Sequence, residues 1–255
     1  MAAEDEELQN AITAMINQVW KDKGMPPGLI NEEVTRLVAQ KLWTAVTEGY
    51  GNDFPAFDWD TPDFNMLKAL EENVWHFSAA KNYTELRQLS GALIGPDGKL
   101  RTKSQWMEEA FKINDRQFKQ YLSAEYELAV SGSQMAGKWV DIQNDKDVFP
   151  LLAFDVVMDG RTTELCSSLN GVIVPVDHPY VKSYYPPNHF GCRTTVRKLR
   201  SGKITEDLPY PEIPDMFRTN LGEQGLIFPA GHAYFTDLPE EVAQKAGKLK
   251  PNREQ

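Results

Sequence analysis

Both cysteines and two of the four histidines of this chain fall in one stretch, Asp159 to Arg200. It opens on Asp159-Gly160-Arg161-Thr162 and runs through Cys166 and Leu169-Asn170-Gly171. It continues with Pro175-Val176-Asp177-His178-Pro179 and ends on Pro186-Pro187-Asn188-His189-Phe190-Gly191-Cys192-Arg193. Thiolate and imidazole suit zinc, so Cys166, His189 and Cys192, with His178 as a further candidate, form a potential ligand set. A structural zinc site wants four protein ligands, and the count here falls short. Alternatively, Cys166 or Cys192 with His189 and an acid, Asp159 or Asp177, has the composition of a thiol nucleophile and its base. No glycine motif that would hold an oxyanion accompanies them. The simplest account takes Cys166 as a small buried apolar residue and His189 as hydrogen-bonded to a loop carbonyl.

The charges in the same stretch admit a structural reading. An acid that ends one strand and an arginine that begins another can form a bidentate pair, and Asp159 with Arg193 fits that description. Arg161 can serve the same end. Arg193, Arg197, Lys198, Arg200 and Lys203 form a basic cluster that suits either nucleic acid or an acidic protein surface, or simply a polar strand face. It lacks stacking aromatics and a glycine-rich phosphate loop.

Taken together, the pieces resemble the phage Mu protein F-like family of minor head proteins, a head-morphogenesis family. The residues that carry the resemblance are Asp159, Arg161, Thr162, Cys166, Leu169, Gly171, Pro186, Pro187, His189, Cys192 and Arg193. Ala136-Gly137-Lys138-Trp139, Met216 to Gly222 and Gly231 to Phe235 extend it more weakly, over roughly residues 104 to 236. The chain has Thr194 where the family ends on Cys-Arg-Cys, and Thr163 where some members carry another cysteine, which thins any metal site. The resemblance implies a minor capsid protein and not an enzyme, acting in head morphogenesis, DNA packaging or ejection near the portal. Its implied partners are portal and coat proteins and packaged DNA, with no membrane. Its implied place is the virion, and the host cytoplasm during assembly. No cofactor follows from it, zinc on Cys166, His189 and Cys192 being the exception left open. Two alternatives stand beside it: a zinc- or thiol-dependent enzyme of toxin or nuclease type, and a DNA-binding module.

The elements that position this stretch follow from periodicity. Leu8, Ile12, Met15, Ile16, Val19 and Trp20 recur at helical spacing, and Gly24 to Gly28 stops that helix. Asn31 caps the next, whose apolar face is Val34, Leu37, Val38, Leu42, Ala45 and Val46. After an aromatic loop from Gly49 to Asp60, Thr61-Pro62 opens a third helix, and a shorter one spans Thr84 to Leu93. Gly95-Pro96-Asp97-Gly98 is a turn. Ser104 and Asn114 cap two further helices, the second reaching Lys138 and the longest of the chain. The period changes at Val148, and Phe149 to Met158 reads as a strand covered on both sides. Val172 to Val174 and Arg193 to Arg197 are shorter strands, with Asn170-Gly171 a tight turn before the former.

The expected fold is α+β: a helical N-terminal region (1–100), a long helix plus a small mixed β-sheet unit (101–203), and an extended Pro-rich tail (204–255). The aromatics Phe217, Phe228, Tyr234 and Phe235 anchor that tail, and Lys245 to Gln255 is expected to be loose. A net charge of −10 argues against general nucleic-acid binding. The acidic start, the lack of a long apolar span and the two isolated cysteines point to a reducing cytoplasm.

Overall fold

The computed structural model describes residues 2–26 and 28–251. Five long helices come first: α1 (Ala2–Asp22), α2 (Glu32–Tyr50), α3 (Pro62–Gly91), α4 (Lys103–Asn114) and α5 (Leu122–Asp145). Then β1 (Leu151–Asp155), α6 (Glu164–Leu169), β2 (Ile173–Pro175), α7 (Pro179–Tyr184) and β3 (Thr195–Leu199) alternate. Two further helices, α8 (Leu221–Gln224) and α9 (Glu240–Leu249), lie in the Pro-rich region. The α+β order is thus the one the sequence implied. The sheet is antiparallel throughout rather than mixed, with β1 in the centre: Leu152 pairs with Val174 on one side and Lys198 on the other.

Helix boundaries show where local signals were overridden. Asn31 caps α2 as expected, its side-chain oxygen accepting from the Val34 amide at 2.9 Å, and Thr61 does the same for α3 through Phe64. The third and fourth expected helices are one 30-residue helix, since no glycine or proline interrupts Phe64 to Ser90. Thr102, not Ser104, caps α4; Gln105 completes a reciprocal capping box. Asn114 starts nothing. The chain passes from α4 into a π-helical turn, Asp115–Tyr121, and on into α5, which reaches Asp145 rather than Lys138.

The chain divides into two compact units of non-contiguous segments, a division that cuts across the ranges expected from sequence. One comprises Met1–Trp43, Glu72–Ser123 and His232–Gln255. Within it Trp106 is fully buried, donates its indole N–H to the Leu89 carbonyl at 3.0 Å, and lies 5.5 Å from the ring of Trp20. A buried polar group also sits there: Lys81, Glu85, Gln117 and Tyr234, with the Tyr234 hydroxyl 2.8 Å from Gln117 Oε1. Lys245 to Leu249, expected to be loose, continue α9, whose Val242 and Ala246 pack with Ile30 and Ala79. The rest of the expected loose end, 252–255, lies outside the described residues.

The other unit comprises Thr44–Glu71 and Ala124–Gly231. Its core joins Met135 and Ile142 of α5 to Leu152 and Phe154 of β1, Val174 of β2 and Val196 of β3. Tyr185 is fully buried, donates to the Met135 carbonyl at 2.9 Å, and meets Trp139 edge-on at 5.1 Å. Burying these apolar faces contributes about 25 cal/mol per Å2. That burial fixes the frame from which the loops after β1 and before β3 project.

Candidate functional site

Two loops and the start of α6 build the site. Thr163 caps α6, its hydroxyl accepting from the Cys166 amide at 3.2 Å, so Cys166 is fixed in the first turn. Nothing in the sequence reading placed α6 or α7; each is a six-residue helix, shorter than the window in which a 3.6-residue period shows. Leu169 anchors α6 in the core, and Gly171 takes a left-handed φ of 79° that ordinary residues resist. On the other side the chain passes a cis Pro186–Pro187 bond and turns from His189 to Cys192, the Cys192 amide donating to the His189 carbonyl at 3.2 Å.

This arrangement brings Cys166, His189 and Cys192 together, their ligand atoms all within 4.8 Å of one another. Cys166 Sγ lies 3.0 Å from His189 Nε2 and 3.8 Å from Cys192 Sγ. Both thiols are buried and free. The other nitrogen of His189, Nδ1, sits 2.7 Å from the Phe190 carbonyl. A carbonyl only accepts, so Nδ1 carries a proton and Nε2 faces the thiols. The Cys192 thiol and the His189 ring hold the Cys166 thiol well below its ordinary pKa, while contact with Cys166 and burial push Cys192 up. The same hydrogen bond with Cys166 raises the pKa of His189. A cavity of about 20 Å3 opens against Cys166, His189, Thr163 and Thr194, room for one water-sized group. The Thr194 hydroxyl is buried at this edge, beside the Cys166 thiol that it helps to hold low.

Asp159 and Arg193 form a bidentate pair at 2.7 and 2.6 Å. Asp159 also accepts from the Arg161 amide at 2.9 Å, and the Thr162 hydroxyl donates to the Val157 carbonyl. Arg193, and after it the Arg161 amide, hold the Asp159 carboxyl far below its usual range. The Arg161 side chain is exposed and 3.9 Å from Asp159, so its backbone, rather than its guanidinium, makes the close contact.

Other expected residues lie apart. His178 caps α7, its Nδ1 accepting from the Tyr180 amide at 3.1 Å, and is not among the clustered ligands. Asp177 pairs with Lys146 at 3.5 Å. Neither acid proposed for a thiol nucleophile reaches His189, whose orienting partner is a carbonyl. The basic cluster is largely neutralised. Arg193 pairs with Asp159, Arg197 with Asp155, Lys198 with Asp141 and Asp145, and Lys203 with Glu206, while Arg200 lies over the Phe149 ring.

Residues 101–197, which contain every residue of this site, match the model of the family described as Phage Mu protein F like protein. This stretch is similar to the Mu F-like family. A curated relative, the putative capsid assembly protein F of Escherichia phage Mu, is 29% identical over 85 residues. That alignment covers 33% of this chain and 19% of the relative, so the chain spans about a fifth of that protein's length. No solved structure matches. The Mu F-like stretch thus takes in the π-helical turn, α5, β1, β2, the start of β3 and both loops of the site. No helix among the described residues is long and apolar enough to cross a membrane.

Proposed function

We propose that this chain is a phage head-morphogenesis protein, a minor capsid component that docks beside the portal during assembly and takes part in packaging or ejection. The observation that carries the reading is the Mu F-like match over 101–197, together with the name of the relative, a capsid assembly protein. The geometry supports binding over catalysis. The cavity beside the thiols has room for about one water, and His189 is oriented by a backbone carbonyl where a nucleophile's base usually has a carboxylate. The two segments joined by Asp159 and Arg193 instead carry exposed apolar side chains, Val157, Met158 (58% exposed) and Phe190 (40%). Such side chains on a rigid loop form the apolar centre of a protein interface, with the paired charges as its polar rim. Because the basic cluster is paired with carboxylates, portal or coat protein is a better partner than phosphate, which needs unneutralised cations.

The test is direct binding. Purified chain mixed with portal rings of the same phage should co-sediment in an analytical ultracentrifuge. Met158→Glu with Val157→Glu should weaken binding at least tenfold while leaving the circular dichroism spectrum unchanged, since both side chains are exposed. Absence of binding to portal and coat protein alike, with tight and salt-sensitive binding to DNA, would refute the proposal.

A further inference from the structure

We propose that Cys166 Sγ, Cys192 Sγ and His189 Nε2 hold one zinc-class divalent ion, with a water from the adjoining cavity as its fourth ligand. Three independent observations converge on this. The first is spacing. Zinc–sulfur bonds of about 2.3 Å place two sulfurs of a tetrahedron about 3.8 Å apart, and the two thiols stand 3.8 Å apart without being bonded. The second is the histidine. Its Nδ1–H is committed to the Phe190 carbonyl, which leaves Nε2 facing both sulfurs, as the outer hydrogen bond of a metal-bound imidazole does.

The third observation is the open position. Thr194 lines the cavity of about 20 Å3 beside Cys166 and His189, room for one water. A water there completes the coordination that three protein ligands leave open. The shortfall in the ligand count is met by a solvent position, not by a fourth side chain. Two thiolates and an imidazole select a soft tetrahedral ion over calcium or magnesium.

The ion would tie the start of α6 to the turn before β3, a second clasp beside the Asp159–Arg193 pair. It does not depend on the head-assembly reading, because metal occupancy is measured on the isolated chain.

The experiment uses the full chain, purified reduced, stripped with chelator and titrated with Co2+. The expected result is one Co2+ per chain, with near-ultraviolet thiolate-to-cobalt absorption and the visible bands of a tetrahedral ion. Zinc should displace it stoichiometrically. Cys192→Ser should abolish the thiolate band or reduce it by about half. Thr194→Cys, which puts a thiolate in the water's place, should intensify the band. It serves as the control should Cys192→Ser fail to fold. A folded, reduced wild-type chain that takes up no Co2+ would overturn the proposal. So would a Thr194→Cys spectrum identical to wild type, or recovery of the chain as a Cys166–Cys192 disulfide that binds no metal after reduction.

Discussion

Asp159 and Arg193 are 34 residues apart in sequence and meet in two parallel hydrogen bonds. Asp159 is also bonded to the Arg161 amide, so it organises its own loop while holding the other. Replacing Arg193 by Gln removes the charge and the fork. The expected outcome is faster hydrogen exchange at the Arg161 and Thr162 amides, with β1 unchanged; equal protection in variant and wild type would show that the pair holds nothing. Rare residue types made this site legible, because a cysteine, a histidine or an acid–arginine couple has few structural uses and stands out in a short stretch. Thr163 and Thr194 stood out only as departures from the family pattern, at positions where it carries cysteine. What they do, as the cap of α6 and as part of the cavity wall, comes from neighbours brought up by the fold.

Among the elements, the long helices were readable from their stripes, but their ends were not. The junction of α4 and α5 shows why. Asn114 carries a capping side chain, yet Gln117 and Phe118 are buried in the turn that follows, and the Leu122 amide reaches back to the Gln117 carbonyl. Tertiary burial outbid local propensity, and the helix continued through a π turn. Close approach between helices was equally hidden. A Cβ on Gly49 of α2 would lie 2.0 Å from the Val130 carbonyl oxygen of α5 and 2.2 Å from Ser133 Oγ. Gly49→Ala should therefore destabilise the unit that contains Gly49, Val130 and Ser133 by about 1–3 kcal/mol or more, measured by urea unfolding. An unchanged midpoint would contradict the packing described.

Helix α3 also carries a pH dependence. Glu85 is fully buried, and burial raises its carboxyl from 4.5 to about 8, against the pull of nearby Lys81 and the Asn82 amide. The folded state then holds a proton that the unfolded chain releases, so stability falls as pH rises from about 4.5 to about 8 and levels off above that. Glu85→Gln should flatten this slope and stabilise the chain at pH 8 by a few kcal/mol, at about 1.4 kcal/mol per unit of displacement. Unfolding free energies measured across pH 5 to 9 check it; the same slope in the variant would rule it out. His232 acts with the opposite sign. Burial, then Lys81, lowers it to about 4, so its share of stability is present above pH 6.5 and is lost as pH falls toward 4.

At the scale of the whole molecule, the sequence conveyed the helix-then-sheet order but not the partition. One compact unit gathers segments from both ends of the chain. The Pro-rich region is anchored by its aromatics as expected, but Phe217 and Phe228 are buried in one unit and Tyr234 in the other. Contacts over such separations leave no periodic trace. Val157, Met158 and Phe190, on the two segments that the Asp159–Arg193 pair joins, are exposed beside the dithiol–histidine cluster. The most direct measurement is the composition of heads assembled in cells expressing this gene with the head genes of its phage, purified on a density gradient. The account predicts that the chain travels with portal and coat protein in the head fraction at low copy. Finding it only at the top of the gradient, while portal and coat sediment normally, would contradict it.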